Sequence, residues 1–201
     1  IDDAFVESME HQPSLFILKL GDRNHPARIT DRGFSVMKQF PKLASLDLTG
    51  VTLTDSSYKE LSQFPSLRFL KLRNLDSQTD RLCGISQVQR LNSLCLADMN
   101  IANTNLQHVS SLTALKSIEF SKTTIEKDSF RNLSNMSQLT LMSLYFSEFD
   151  PAELNYLTDL TSLQSLHLNG STINDTHLRE TAKLSHLTQL HLDETDISDQ
   201  G

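Results

Sequence analysis

The chain has 201 residues, 38% hydrophobic and 21% charged, with a formal net charge of −7. This is the balance of a chain with a packed core, which argues against disorder, and its acidity disfavours attraction to a nucleic-acid backbone. No apolar run nears the roughly 20 residues that span a bilayer, and the opening "IDDAFVESMEHQ" has neither the basic nor the apolar region of a signal peptide.

Taken in chain order, residues 1–14 hold a helix in "AFVESME" that reads as the end of a preceding, partial unit. From "LFILKL" at Leu15 onward, a strand-like phrase recurs. Leu43, Leu67, Leu91, Leu115, Leu139, Leu163 and Leu187 follow one another in steps of 24 residues, opening "LASLDL", "LRFLKL", "LNSLCL", "LKSIEF", "LTLMSL", "LQSLHL" and "LTQLHL". Such a period is the mark of a stacked repeat. Leu15 precedes Leu43 by 28 residues, so four extra residues fall within "GDRNHPAR", and we expect them to bulge from the rim.

Behind each strand phrase a second register (Ile29, Leu53, Ile101, Ile125, Phe149, Ile173, Ile197) is interrupted only by Ser77. A third (Phe34, Tyr58, Leu82, Leu106, Phe130, Leu154, Leu178) is followed at helical spacing by Met37, Leu61, Ile85, Val109, Leu133 and Leu157. Each unit therefore predicts a short strand, a turn and a helix of two to three turns. Asp31, Asp55, Asp175 and Asp199 stand where they would cap those helices, as does Asp150 ahead of Pro151. Residues 15–201 make eight such units, the last lacking its helix. With no polar cap at either end, the chain reads as part of a longer array.

These repeats resemble the leucine-rich repeats over almost the whole chain. The 24-residue form with a "G-x-x-I-x-D-x-x-L" second half is most similar to repeats common in bacterial proteins, and somewhat to the cysteine-containing repeats of F-box proteins. The resemblance implies an α/β solenoid, a right-handed curved horseshoe with a parallel sheet on the concave side and helices on the convex side. It also implies a protein-binding role. The inward position that usually holds Asn is instead Val51, Leu75, Met99, Thr123, Ser147, Ser171 and Thr195. Hydroxyls or water must then satisfy the loop backbone.

If the fourth and sixth residues of each strand phrase point inward, the third, fifth and seventh face outward. The fifth row reads Lys19, Asp47, Lys71, Cys95, Glu119, Ser143, His167, His191. His167 and His191 would stand on adjacent strands with Asp193 nearby, but lack enough ligands for a metal site, and we assign no metal and no cofactor. Cys83 and Cys95 fall on opposite sides of the solenoid and cannot bridge, so both are expected as free thiols in a reducing, cytoplasmic setting. The sequons at Asn132, Asn135, Asn169 and Asn174 are read as chance. Phosphate loops, nucleophile elbows and zinc motifs are missing, and Asp47 and Glu119 are three strands apart, so no enzymatic activity is expected.

Outward apolar and aromatic residues remain. Leu141, Tyr145 and Phe146 on one strand form the first candidate protein-binding cluster, with His167 and His191 beside it, and Phe69, Lys71 and Arg73 form a second. Two readings stay open for Phe146 and Leu141: a contact surface, or a loop-core ring and a shifted strand register. The functional expectation is a monomeric interaction module that binds another protein on its concave face, within a longer, effector-type bacterial protein acting in a host cytosol. The alternative is a spacer, or the recognition arm of a catalytic or ubiquitin-ligase domain beyond these residues.

Overall fold

The computed structural model describes residues 1–9, 12–22, 24–51, 53–74 and 82–199. Leu75 and Ser77, and with them one hydroxyl-row position and the one break in the second register, lie outside these. Eight strands stack in a single parallel sheet: β1 (Ile17–Leu20), β2 (Ser45–Thr49), β3 (Phe69–Arg73), β4 (Ser93–Ala97), β6 (Ser117–Ser121), β8 (Leu141–Tyr145), β9 (Ser165–His167) and β10 (Gln189–His191). Two short strands, β5 (Asn100–Ile101) and β7 (Thr124–Ile125), pair beside it. Parallel pairing in strict sequence order is what a one-directional coil of repeats must give.

On the other side lie α1 (Asp3–Glu7), α2 (Asp31–Met37), α3 (Asp55–Glu60), α4 (Asn103–Val109) and α5 (Asp175–Thr181). Leu61–Gln63, Cys83–Gln87, Phe130–Leu133 and Pro151–Asp159 are 3-10 turns. The convex elements thus range from little over one turn at Phe130–Leu133 to about two in α2, α4 and α5 and three at Pro151–Asp159, so only some reach the two to three turns expected. A 24-residue unit leaves few residues for its outer wall, and the 3-10 form covers more length per residue. Helices about 10 Å across stacked behind strands about 4.8 Å apart bend the coil with the sheet inside.

The core follows the registers. Leu46, Leu48, Leu70, Leu72, Leu94, Leu96, Ile118, Phe120, Met142 and Leu144 are buried, as are the first leucines from Leu43 to Leu163. Aromatic rings fill the space under the convex wall, Phe34 against Phe64 at 5.4 Å and Phe130 against Phe149 at 5.8 Å between centroids. Packing of this kind makes each repeat depend on its neighbours.

The aspartates do something other than cap. Thr30, not Asp31, is the N-cap of α2, and Thr54 stands at that place in α3. Asp31, one residue inside its helix, reaches to the next repeat, accepting from the Thr54 backbone N–H (2.8 Å), the Thr54 hydroxyl (2.8 Å) and the Ser57 hydroxyl (2.6 Å). Asp3 binds Thr30 in the same way, and Asp175 binds Ser198. These carboxylates tie one repeat to the following one. Burial works to raise the Asp31 carboxyl, but the bonds from Ser57 and Thr54 outweigh it and hold it low. Asp150 does cap as expected, accepting from the Ala152 N–H at 3.0 Å with Pro151 in the first turn.

The missing Asn row is replaced unevenly. Thr123 and Ser147 are buried and hydrogen-bonded at 3.0 Å between hydroxyls, and Thr195 donates to the Leu192 carbonyl. Earlier, Val51 is buried and simply packs.

One register had not been anticipated. From the second unit on, the eighth residue counted from the first leucine adopts positive φ: Gly50 (68°), Asn74 (55°), Asp98 (50°), Lys122 (55°), Phe146 (48°), Gly170 (68°) and Glu194 (56°), while in the first unit it is the seventh, Gly21 (73°). Its N–H passes to the following repeat, as from Lys122 to Tyr145 (2.8 Å) and from Phe146 to Asn169 (2.9 Å). Making that bond while turning off the sheet requires the left-handed conformation. Gly and Asn adopt it readily, whereas a bulky ring does not.

Candidate protein-binding face

The observed registers align the outward rows as read from the sequence. Lys19, Asp47, Lys71, Cys95, Glu119, Ser143, His167 and His191 are successive partners across the sheet. Leu141 pairs with Ser117 and Ser165, which settles its register and puts it in the third, outward row, half-buried.

The N-terminal half of this face holds Phe69, Lys71 and Arg73, all half-buried on β3. The two cations of β3 are matched by carboxylates of neighbouring repeats: Lys71 Nζ stands 3.9 Å from Asp47, and Arg73 lies 3.3 Å from Asp98. Asp47 also accepts from the Thr49 hydroxyl at 3.0 Å. The Arg73 Nε is buried and has no hydrogen-bond partner among the described residues. Mid-sheet, Cys95 is buried, and its thiol is pushed up to about 12 by burial and then by the Glu119 carboxylate. A thiol so held stays protonated and is a poor nucleophile. Both cysteines are free.

The C-terminal half differs. Tyr145 and Phe146 are large apolar groups left open to solvent, 42% and 37% exposed. Their rings meet edge to face, 4.6 Å between centroids at 84°. Phe146 does not turn into the loop core: it lies across Gly170, where a Cβ would stand 2.5 Å from the ring. Gly170 therefore both allows the left-handed turn and gives the ring a floor, a role the sequence signals only through the eighth-position register. Lys122 Nζ stands 5.9 Å from the Phe146 centroid.

Beside this platform the imidazoles of His167 and His191 meet with centroids 4.2 Å apart and planes tilted by 46°. Ser165 Oγ lies 2.9 Å from His167 Nε2 and donates to Gln189 at 3.1 Å. Burial, and then the neighbouring His191, lower the His167 pKa below its ordinary value. Asp193 accepts from the Asn169 amide at 3.0 Å, and among the described residues no three His, Cys, Asp or Glu side chains come together as a metal site would require.

At the first strand, the extra residues form a tight turn in which Asp22 accepts from the Asn24 and His25 N–H groups, both at 2.8 Å. Pro26 packs onto Gly50 much as Phe146 packs onto Gly170, so the insertion is seated on the rim as well as protruding from it. Phe16 and Ile17, 60% and 53% exposed, flank the open edge of β1. At the other edge a hollow of about 390 Å³ is lined by residues of α5, β10 and the segment joining them, among them Leu178, Leu187 and Leu190. Among the described residues no helix is long and apolar enough to cross a membrane.

No family model and no curated protein matches the chain. Solved structures do. An internalin C2 from Listeria monocytogenes superposes with a TM-score of 0.61 at 19% identity, over 99% of this chain and 77% of its own. The Drosophila Toll–Spatzle complex gives 0.58 at 14% identity, over 98% of this chain and 29% of the matched one. The Arabidopsis receptor kinase HAESA, solved with the peptide hormone IDA and the co-receptor SERK1, gives 0.55 at 20%, over 94% and 32%. At such identities it is the architecture that is shared. Register, core and likeness agree that this chain is an α/β solenoid of the leucine-rich-repeat fold.

Proposed function

We propose that the chain is a protein-interaction module whose partner rests on the concave face, anchored on Tyr145 and Phe146. Leu141, His167 and His191 border the contact, and Phe69, Lys71 and Arg73 add a weaker one. The observation that carries this reading is Phe146: a large ring held in a left-handed backbone position, where two equivalent repeats use glycine, and left open to solvent. Strain of this kind costs about 1 kcal/mol, and an exposed aromatic pair costs solubility, unless something is gained from both. Toll and HAESA, which share the fold, were solved in complexes with other proteins or peptides, which supports a binding role here.

A catalytic role is disfavoured by the buried, protonated Cys95 thiol and by the three-strand gap between Asp47 and Glu119. As its setting we propose a monomeric segment of a longer, effector-type bacterial protein in a reducing cytosol. The 24-residue period and the two free thiols support that setting. The test is affinity capture with the wild-type chain and with a Tyr145→Ala/Phe146→Gly variant. A specific partner should be lost by the variant while its thermal melt stays close to wild type. Retention of that partner, together with its loss on charge reversal of convex Arg131 or Arg179, would move binding to the outer wall.

A further inference from the structure

We infer that the segment seated on the Tyr145–Phe146 platform is an extended stretch of protein carrying Arg or Lys next to an apolar side chain; this rests on the platform being the binding site. The argument is one of charge complementarity around a fixed apolar anchor. On β3 both cations already have carboxylates, Lys71 with Asp47 and Arg73 with Asp98. Around the platform the balance tips the other way. Glu119 stands one strand over and two residues along from Tyr145, about 8 Å by strand geometry. Asp193 lies two strands over on the far side, its carboxylate held by the Asn169 amide. Glu148, just past Phe146, is exposed, and its carboxylate accepts from the Thr124 hydroxyl at 3.4 Å. An apolar side chain bound against the two rings therefore has carboxylates on both flanks, within the reach of an extended arginine or lysine.

One cation close to the rings is the protein's own. Lys122 Nζ sits over the Phe146 ring, on the face that attracts positive charge. It marks the place a partner's cation would take, and it competes for that place. Tyr and Phe offer large rigid area at small entropic cost, so the anchor supplies affinity while the carboxylates select the partner.

The test is selection of random dodecapeptides displayed on phage against the wild-type chain, with counter-selection on Tyr145→Ala/Phe146→Gly. Enriched peptides should place Arg or Lys within about two residues of Leu, Met or Phe, the reach set by strand spacing. A synthetic peptide of that sequence should bind Glu119→Gln/Asp193→Asn several-fold more weakly. It should bind Lys122→Gln more tightly, a gain that misfolding cannot imitate, and its affinity should fall as salt rises above about 0.1 M. Platform-dependent peptides that are acidic or uncharged would overturn the inference and leave the platform as the site. So would basic peptides indifferent to all three charge substitutions. Peptides that ignore Tyr145 and Phe146 altogether would overturn both readings.

Discussion

The two halves of the concave face share one backbone and one register, yet treat their outward side chains differently. On β2 and β3, charged groups neutralise one another across the strand gap, and the ladder from Asp47 to Lys71 and the bridge from Arg73 to Asp98 leave little for a ligand. On β8 to β10 the same rows carry rings and imidazoles that face solvent or each other. The contrast teaches that chemical type alone overstates a candidate. Lys71 and Arg73 read from the sequence as a second contact cluster, but their charges are already engaged. A partner would have to displace those pairs, whereas at Tyr145 and Phe146 it meets exposed rings and has only the Lys122 side chain over Phe146 to move aside.

The largest effect should come where the halves meet. Leu94, on β4, is fully buried between β3 and β6. Replacing it with alanine removes core volume from two repeat interfaces and should cost roughly 2–5 kcal/mol in denaturant unfolding. A loss under about 1 kcal/mol would mean that the halves unfold separately and do not share one cooperative core.

Next in size is a reversal of sign at Phe146. In most positions Ala is more stable than Gly because the unfolded glycine chain is freer. With φ at 48°, Phe146→Gly should instead be more stable than Phe146→Ala by about 1 kcal/mol. Both remove the ring, so packing cancels in the comparison. An equal pair, or alanine ahead, would show that the turn relaxes without strain and would remove the argument that the ring is retained for binding.

Much of the fold was legible because burial leaves a periodic trace. Leu46 and Leu94 had to be inward if the 24-residue register meant anything, and Leu141 followed once the strand pairing was fixed. Legibility failed where a polar group had two partners to choose between. Asp31 sits at helix-start spacing, and only the three-dimensional stack shows its carboxylate bonded to Thr54 and Ser57 of the next unit. The exposure of Phe146 was equally hidden, since it depends on a glycine 24 residues later, Gly170, that leaves room for the ring to lie flat. The signal was present in the Gly, Asn and Asp residues at the other eighth positions.

A smaller effect belongs to the N-terminal half. Lys71→Gln should weaken the Asp47–Lys71 pair by less than about 1 kcal/mol, because both groups stay partly solvated, and added salt should erase the difference. A larger, salt-independent loss would mean that the pair is part of a tightly coupled network, and the β3 cluster would then serve folding and not contact.

The smallest expected effect separates the halves by pH. His167 titrates below its ordinary 6.5 because burial, first, and the adjacent His191, second, disfavour its charged form, with Glu119 opposing them. The unfolded chain therefore takes up that proton more readily than the folded one. Stability from this group is fully present above pH 6.5 and is lost as pH falls through the lowered folded value. Melts from about pH 8 to about pH 5 should show a decline that His167→Gln flattens and Lys71→Gln leaves in place. The carboxylates tying the repeats together, Asp31 and Asp175, are held low by their hydrogen bonds and act in the same direction, but only in the more acidic carboxylate window. The two contributions are thus resolved by where on the pH axis each begins. If the decline survived His167→Gln unchanged, the two adjacent imidazoles would be passive neighbours, and the pH response would have to come from elsewhere in the solenoid.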